Sequence, residues 1–306
     1  MMKIIFISGV KFGYDVLESI LENNWKIGTS FSYLPEKKKF YSDYADFENL
    51  TKKYDVIHKQ VNNINDQENI ELIKKINPDL ILVLGWSQLL KKEIIEIPRL
   101  GVIGSHPTEL PKYRGRAPIP WSILKGLKFS ALTYFFIEEG IDDGDILDQR
   151  YFEIGNEDDA SSIYDKVTEL GKEMILSNLK KIEKNIFIRK KQNSDEFIEN
   201  WPKRTPEDGK IDWTKSAKEI HTLIRASTYP YPGAYTYYKN LKLIIWKASY
   251  SEKNHYESGK ILDINEKFVK IGCRNGYVIL EDVSLNEKSL SINQIFNKND
   301  LGKIIS

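Results

Sequence analysis

The first half of the chain alternates short β-branched runs with helix-forming stretches. The runs lie at Lys3 to Ser8, Trp25 to Phe31, Asp55 to His58 and Asp79 to Leu84, and the helical segments at Asp15 to Asn23 and Gln67 to Ile76. Strands that run parallel need a crossover between them, so this alternation predicts an α/β unit with a largely parallel sheet. Residues 79–84 read DLILVL, nearly continuous in leucine, isoleucine and valine, as a strand covered on both faces requires. A short helix is expected from Ser87 to Ile95, then strands from Val102 to Ser105 and from Leu132 to Ile137. Asp158 to Lys184 carries Ile163, Val167, Leu170, Met174, Ile175 and Leu179 at spacings of three and four, an amphipathic helix that closes the unit.

Beyond that helix the texture changes. Residues 188–206 begin polar and basic, contain Pro202 and Pro206 and show no period, which marks a linker. A helix is expected over Ser216 to Ser227, ended by the prolines and glycine of Tyr229 to Gly233. Short strands follow at Ala234 to Tyr238, Leu241 to Ala248, Gly259 to Ile264, Phe268 to Cys273 and Tyr277 to Val283. Asn275-Gly276 is the strongest turn signal, because both residues tolerate the positive φ of a tight hairpin. Five short strands and one helix suggest a small barrel of the OB type. The expected fold is a Rossmann-like, mostly parallel α/β domain (1–187), a linker (188–206) and an OB-like domain (207–306), a division that suits 306 residues.

Lys and Arg number 45 against 44 Asp and Glu, so any attraction to nucleic acid or membrane must come from a local patch. Cys273 is the single cysteine, which rules out an internal disulfide, fits a reducing compartment and reads as a small buried hydrophobe. Ile4 to Val10 is too short for a signal segment, and no window approaches the roughly 18 apolar residues of a spanning helix. A cytoplasmic chain without a membrane partner is expected.

The polar chemistry gathers between two of the expected strands. Val102 and Ile103 lead into His106, and a loop follows with Pro107, Pro111, Lys112, Tyr113, Arg114, Gly115 and Arg116. The strand ending at Ile137 then delivers Asp142, Asp143, Gly144 and Asp145. A histidine at one strand end and an acid just past a neighbouring strand form the pair most used in general acid/base catalysis. The three aspartates also suit a hard-cation site or a turn bracketed by Gly140 and Gly144; a third reading has Asp142 holding His106 in one tautomer and raising its pKa. Lys112, Arg114 and Arg116 read as a solvated face or an anion site, and the arginines suit a two-pronged grip on phosphate. His58, His221 and His255 read as packing or surface residues. Gly9 and Gly13 have the wrong spacing for a dinucleotide-binding loop and read as a tight strand-to-helix turn.

These motifs resemble the folate-dependent formyltransferases, which use N10-formyltetrahydrofolate. SHPTELPKYRGRAPIPW resembles the family's loop, Asn-x-His-Pro-Ser-Leu-Leu-Pro-x-x-Arg-Gly-x-x-Pro, and GIDDGDIL its Gly-x-Asp-x-Gly-Asp-Ile-Leu. EDGKIDWTKSAKEIHTLIRASTYPYPGAYTYY resembles the C-terminal barrel shared by methionyl-tRNA formyltransferases and some nucleotide-sugar formyltransferases. The resemblance implies that His106 is the catalytic histidine and Asp142 its partner. It places the pterin slot at Trp86, Ser87, Leu89 and Leu90, with the backbone of Glu139, Gly140, Ile141 and Asp142, and it calls for no metal. Gly104 stands where the family has an asparagine that donates to the developing oxyanion. Candidate replacements are protonated His106, a water, and Ser105, which strand alternation points the other way.

The loop KYRGRAPIPW is more like that of the enzyme formylating UDP-4-amino-4-deoxy-arabinose than that of the tRNA enzyme. Lys112, Tyr113, Arg114 and Arg116 are therefore expected to bind a nucleotide-linked amino sugar. Near-neutral charge gives no support for a tRNA surface, although the cations at 37–39 and 189–191 keep that reading open. An inactive folate-binding relative and a homodimer are also left open.

Overall fold

A computed structural model describes residues 2–305. By its internal contacts the chain divides into two units, the first comprising Met1–Pro118, Lys128–Ile154 and Tyr164–Pro202. Its strands in chain order are β1 (Ile4–Ile7), β2 (Ile27–Tyr33), β3 (Ile57–Val61), β4 (Leu80–Val83), β5 (Val102–His106), β6 (Tyr113–Gly115), β7 (Phe129–Phe136), β8 (Ile146–Glu153) and β9 (Glu199–Trp201). Seven of them form one sheet in the order β3-β2-β1-β4-β5-β7-β8, parallel from β3 to β5 and antiparallel across β5-β7 and β7-β8. β1 and β4 are buried along their whole length, which is why both read as unbroken apolar runs.

The helices Lys11–Glu22 and Gln67–Ile76 make the crossovers. A Cβ on Gly9 would lie 2.1 Å from the ring of Tyr33, and one on Gly13 1.9 Å from Ser8 Oγ. Both glycines therefore serve close packing of strand, helix and ring.

Three local features depart from the sequence reading. The helix expected over 87–95 covers only Lys92–Ile95. Gln88 donates to the Asn62 carbonyl and accepts from Ile64 N, while Asn65 donates to the Leu89 carbonyl and accepts from Lys91 N; these side chains take the bonds a helix would have used. β8 has no counterpart among the expected strands, because its edge position leaves polar Asp148, Gln149 and Arg150 at half-buried positions and hides the alternation. Finally, residues 190–201 carry structure of their own. Lys190 exchanges both backbone hydrogen bonds with Ile146, and β9 pairs in parallel with β6.

The second unit comprises Ile119–Leu127, Gly155–Ile163 and Lys203–Ser306. Strands β10 (Ala234–Tyr238), β11 (Leu241–Ser251), β12 (Ile261–Ile264), β13 (Val269–Gly272), β14 (Tyr277–Leu285) and β15 (Lys288–Ser289) form one antiparallel sheet in the order β10-β11-β14-β13-β12, with β15 beside β14. The helix Ala217–Ser227 starts at a capping box in which Ser216 accepts from Glu219 N and Glu219 accepts from Ser216 N. It buries Ile220 and Ile224 among Leu243, Ile245 and Leu280. Cys273 is buried in the same core, where loss of water pushes its thiol up to about 11. No helix of the described residues is long and apolar enough to cross a membrane.

Candidate active site

At the carboxyl ends of β1, β4 and β5 the first unit opens a cavity of about 670 Å³, in the position where open α/β sheets place ligands. β5 carries His106 to its rim, where the residue is 5% exposed and Nε2 has no hydrogen-bond partner. Antiparallel pairing with β7 then brings the 138–145 turn alongside and sets Asp142 over the imidazole, with Oδ2 3.8 Å from Nδ1.

That separation exceeds a direct hydrogen bond. The carboxylate instead accepts from Gly115 N at 3.0 Å, so its attraction for the ring acts through space. Burial holds the His106 pKa below its ordinary value of about 6.5, outweighing the upward pull of Asp142 and of the Tyr113 backbone. Asp142 does pull the pKa upward, as one reading of the sequence has it, but the ring loses more by desolvation than the displaced carboxylate returns. A neutral imidazole at neutral pH is the form able to take up a proton.

The seven residues assigned to the cofactor slot, Trp86, Ser87, Leu89, Leu90, Glu139, Gly140 and Ile141, all border the cavity. Two residues missed by sequence reading support that wall. Tyr33 is sandwiched between Trp86 and Tyr41, with ring centroids 3.7 and 4.5 Å away and planes within 8°. The Tyr33 hydroxyl also accepts from Ser87 N at 3.0 Å. Trp86 Nε1 is buried and without a hydrogen-bond partner.

Of the four residues expected at the acceptor, Arg116 alone borders the cavity. Lys112 pairs with Glu109 at 2.7 Å, and Tyr113 stacks on Trp201 at 4.7 Å. Arg114 donates to Gln192 Oε1 at 2.8 Å and lies over the Phe197 ring. These three brace the loop against the arm at 190–201, which lies across them. No signal in the sequence marks that arm, since each contact spans some eighty residues of chain.

At Gly104 the place of a side chain is already taken. A Cβ there would lie 2.9 Å from Ile137 Cγ1 and 3.2 Å from Phe135 Cε1. Gly104, Ser105 and His106 all border the cavity. Among the described residues no group of three or more His, Cys, Asp or Glu is arranged to hold a metal ion, and Asp142, Asp143 and Asp145 occupy a turn. The other histidines are engaged elsewhere: His58 with Ser30 and Ser32, His221 against Tyr250, and His255 with the Arg274 carbonyl.

Comparison with known proteins places this arrangement. Residues 2–179 match the family described as formyl transferase, and residues 203–300 match the formyl transferase C-terminal domain. The chain is 32% identical over 305 residues to a methionyl-tRNA formyltransferase of Clostridioides difficile, covering 98% of each chain. Among solved structures, HypX from Aquifex aeolicus in complex with tetrahydrofolic acid superposes with a TM-score of 0.70 at 21% identity, over 96% of this chain and 46% of HypX. An N-formyltransferase from Helicobacter canadensis in complex with folinic acid and dTDP-3-aminofucose gives 0.67 at 21% identity, over 92% of this chain and 99% of its own. At such identities the two structures speak for the fold alone. The two family matches and the full-length relative together show that this chain belongs to the formyl transferase family and is an N-formyltransferase.

Proposed function

We propose that the chain moves a formyl group from N10-formyltetrahydrofolate to the primary amine of a UDP- or dTDP-linked amino sugar. The observation that carries this reading is the exposed guanidinium of Arg116 on the same cavity as His106 and Asp142. An exposed cation bordering the cavity suits a diphosphate whose sugar reaches inward. The rest of the cavity suits the folate. Its wall is apolar at Trp86, Leu89, Leu90 and Ile137, and it presents two buried polar atoms, His106 Nε2 and Trp86 Nε1, that lack a partner within the protein.

In this scheme the acceptor amine, neutral, attacks the formyl carbon. The new carbon–nitrogen bond forms first and leaves a tetrahedral oxyanion while His106 takes the proton the amine loses; as the oxyanion collapses, the bond to the folate nitrogen breaks and the same proton passes to that leaving nitrogen. Asp142 stabilises the imidazolium through this interval. Gly104 supplies no side-chain donor for the charge building on the formyl oxygen. A protonated His106 is the group on hand.

A second reading is favoured by the full-length similarity to a methionyl-tRNA formyltransferase. One experiment separates the two. The protein is incubated with N10-formyltetrahydrofolate and a panel of UDP- and dTDP-amino sugars together with methionyl-tRNA, and products are weighed for one added formyl group. Transfer to a sugar nucleotide is expected; transfer to methionyl-tRNA alone, or to none of the sugar nucleotides, overturns the sugar reading. His106→Ala and Asp142→Ala should each lower the rate by roughly 100-fold or more in protein that still folds and melts cooperatively.

A further inference from the structure

Gln192, in the arm between the two family domains, is fully hydrogen-bonded to the turn that carries Asp142 and to the loop beside it. Its Nε2 donates to the carbonyls of Asp142 and Gly144, both at 2.8 Å, and its Oε1 accepts from Arg114 Nη2 at 2.8 Å. The direction of the amide follows from chemistry. Arginine can only donate and carbonyls can only accept, so the oxygen must face Arg114 and the nitrogen the turn. The residue is 9% exposed, so breaking any of these hydrogen bonds strands a buried polar atom without a partner.

The turn needs such a hold. Asp142 adopts a φ of +51°, a left-handed conformation that a residue with a side chain keeps only when its surroundings enforce it. The same arm also secures the other end of the carboxylate. Gly115, whose N–H donates to Asp142 Oδ2, lies so close to Trp201 that a Cβ on it would be 2.4 Å from the Trp201 carbonyl oxygen, and Arg116 N donates to that oxygen at 2.9 Å.

We propose that Gln192 is a positioning residue for the formyl transfer, fixing the backbone of Asp142 so that its carboxylate faces the His106 ring. This rests on the assignment of His106 and Asp142 as the proton-handling pair. Substitutions at 192 then act on the ring only through Asp142. A merely structural glutamine would lower stability and leave the ring's electrostatics alone.

The test is a cycle of Gln192→Ala, Asp142→Asn and the double variant, read by the ring ¹⁵N resonances of His106, assigned by their loss in His106→Asn. Gln192→Met, which keeps the volume and removes the amide, replaces Gln192→Ala if the latter does not fold. Gln192→Ala is expected to move the resonances in the same direction as Asp142→Asn and to add nothing in the Asp142→Asn background. In turnover it should lower kcat by about 100-fold, as a misplacement near 1 Å does, with KM for the folate little changed and again no further loss in the double variant. Unaltered resonances, or losses that simply add, overturn the proposal. The resonance cycle needs no acceptor, so a wild-type protein that transfers nothing while the coupling persists overturns the transfer reading and leaves the placement of Asp142 intact.

Discussion

Gly104 and Ile137 form a matched pair at the residue scale. The isoleucine side chain occupies the volume that any substituent at 104 would need, so the missing asparagine is a packing decision shared by β5 and the residue that follows β7. Gly104→Asn is expected to destabilise the protein by about 1–3 kcal/mol, the range for overfilling a packed site, and Ile137→Ala in the same chain should recover part of that loss. Thermal melts of the two single variants and the double variant measure the coupling; additive effects would show that the two positions do not share the space. His106 follows the same logic. Its motif is readable in the sequence, but the sign of its pKa shift is not, because burial depends on what the fold stacks around the ring and not on the residues next to it in sequence.

The elements that place the site differ in how visible they are in the sequence. β4 announces itself as an apolar run, β5 by the β-branched pair Val102 and Ile103 leading into His106, and the helix Gln67–Ile76 by its period. β6, β8 and β9 carry half-buried, mixed-polarity residues at edges, where alternation is lost, and β6 owes its form to pairing with β9. Gly115 shows what that pairing demands. It holds a φ of +101° with a carbonyl where its Cβ would stand, whereas Gly126 holds a φ of +67° with open space around it. Gly115→Ala should therefore cost more than Gly126→Ala: about 2 kcal/mol or more against roughly 1 kcal/mol for backbone strain alone. Only the first should reduce transfer, since only the first shifts the N–H that holds Asp142. Equal losses in melting temperature and rate for the two variants would dissociate Gly115 from the site.

Across the whole molecule, charge is nearly balanced, with 45 cationic and 44 anionic side chains. A small diphosphate acceptor gripped by Arg116 should lose only a few-fold in kcat/KM as salt rises, since few charges are involved. An acceptor held along a polynucleotide backbone by six to ten phosphate contacts would lose about 1,000-fold or more between roughly 50 and 200 mM salt, which initial rates on each acceptor would reveal. The sequence by itself determined the class of fold, the two-part organisation and the segments holding His106 and Asp142, because each is written in local signals: hydrophobic period, turn residues and a contiguous motif. Tertiary structure alone decided which loop residues face the cavity, why position 104 stays bare and how Gln192 and Gly115 hold Asp142. Those are contacts between side chains and backbone far apart in the chain. Their energies depend on burial and distance, neither of which exists until the chain has folded.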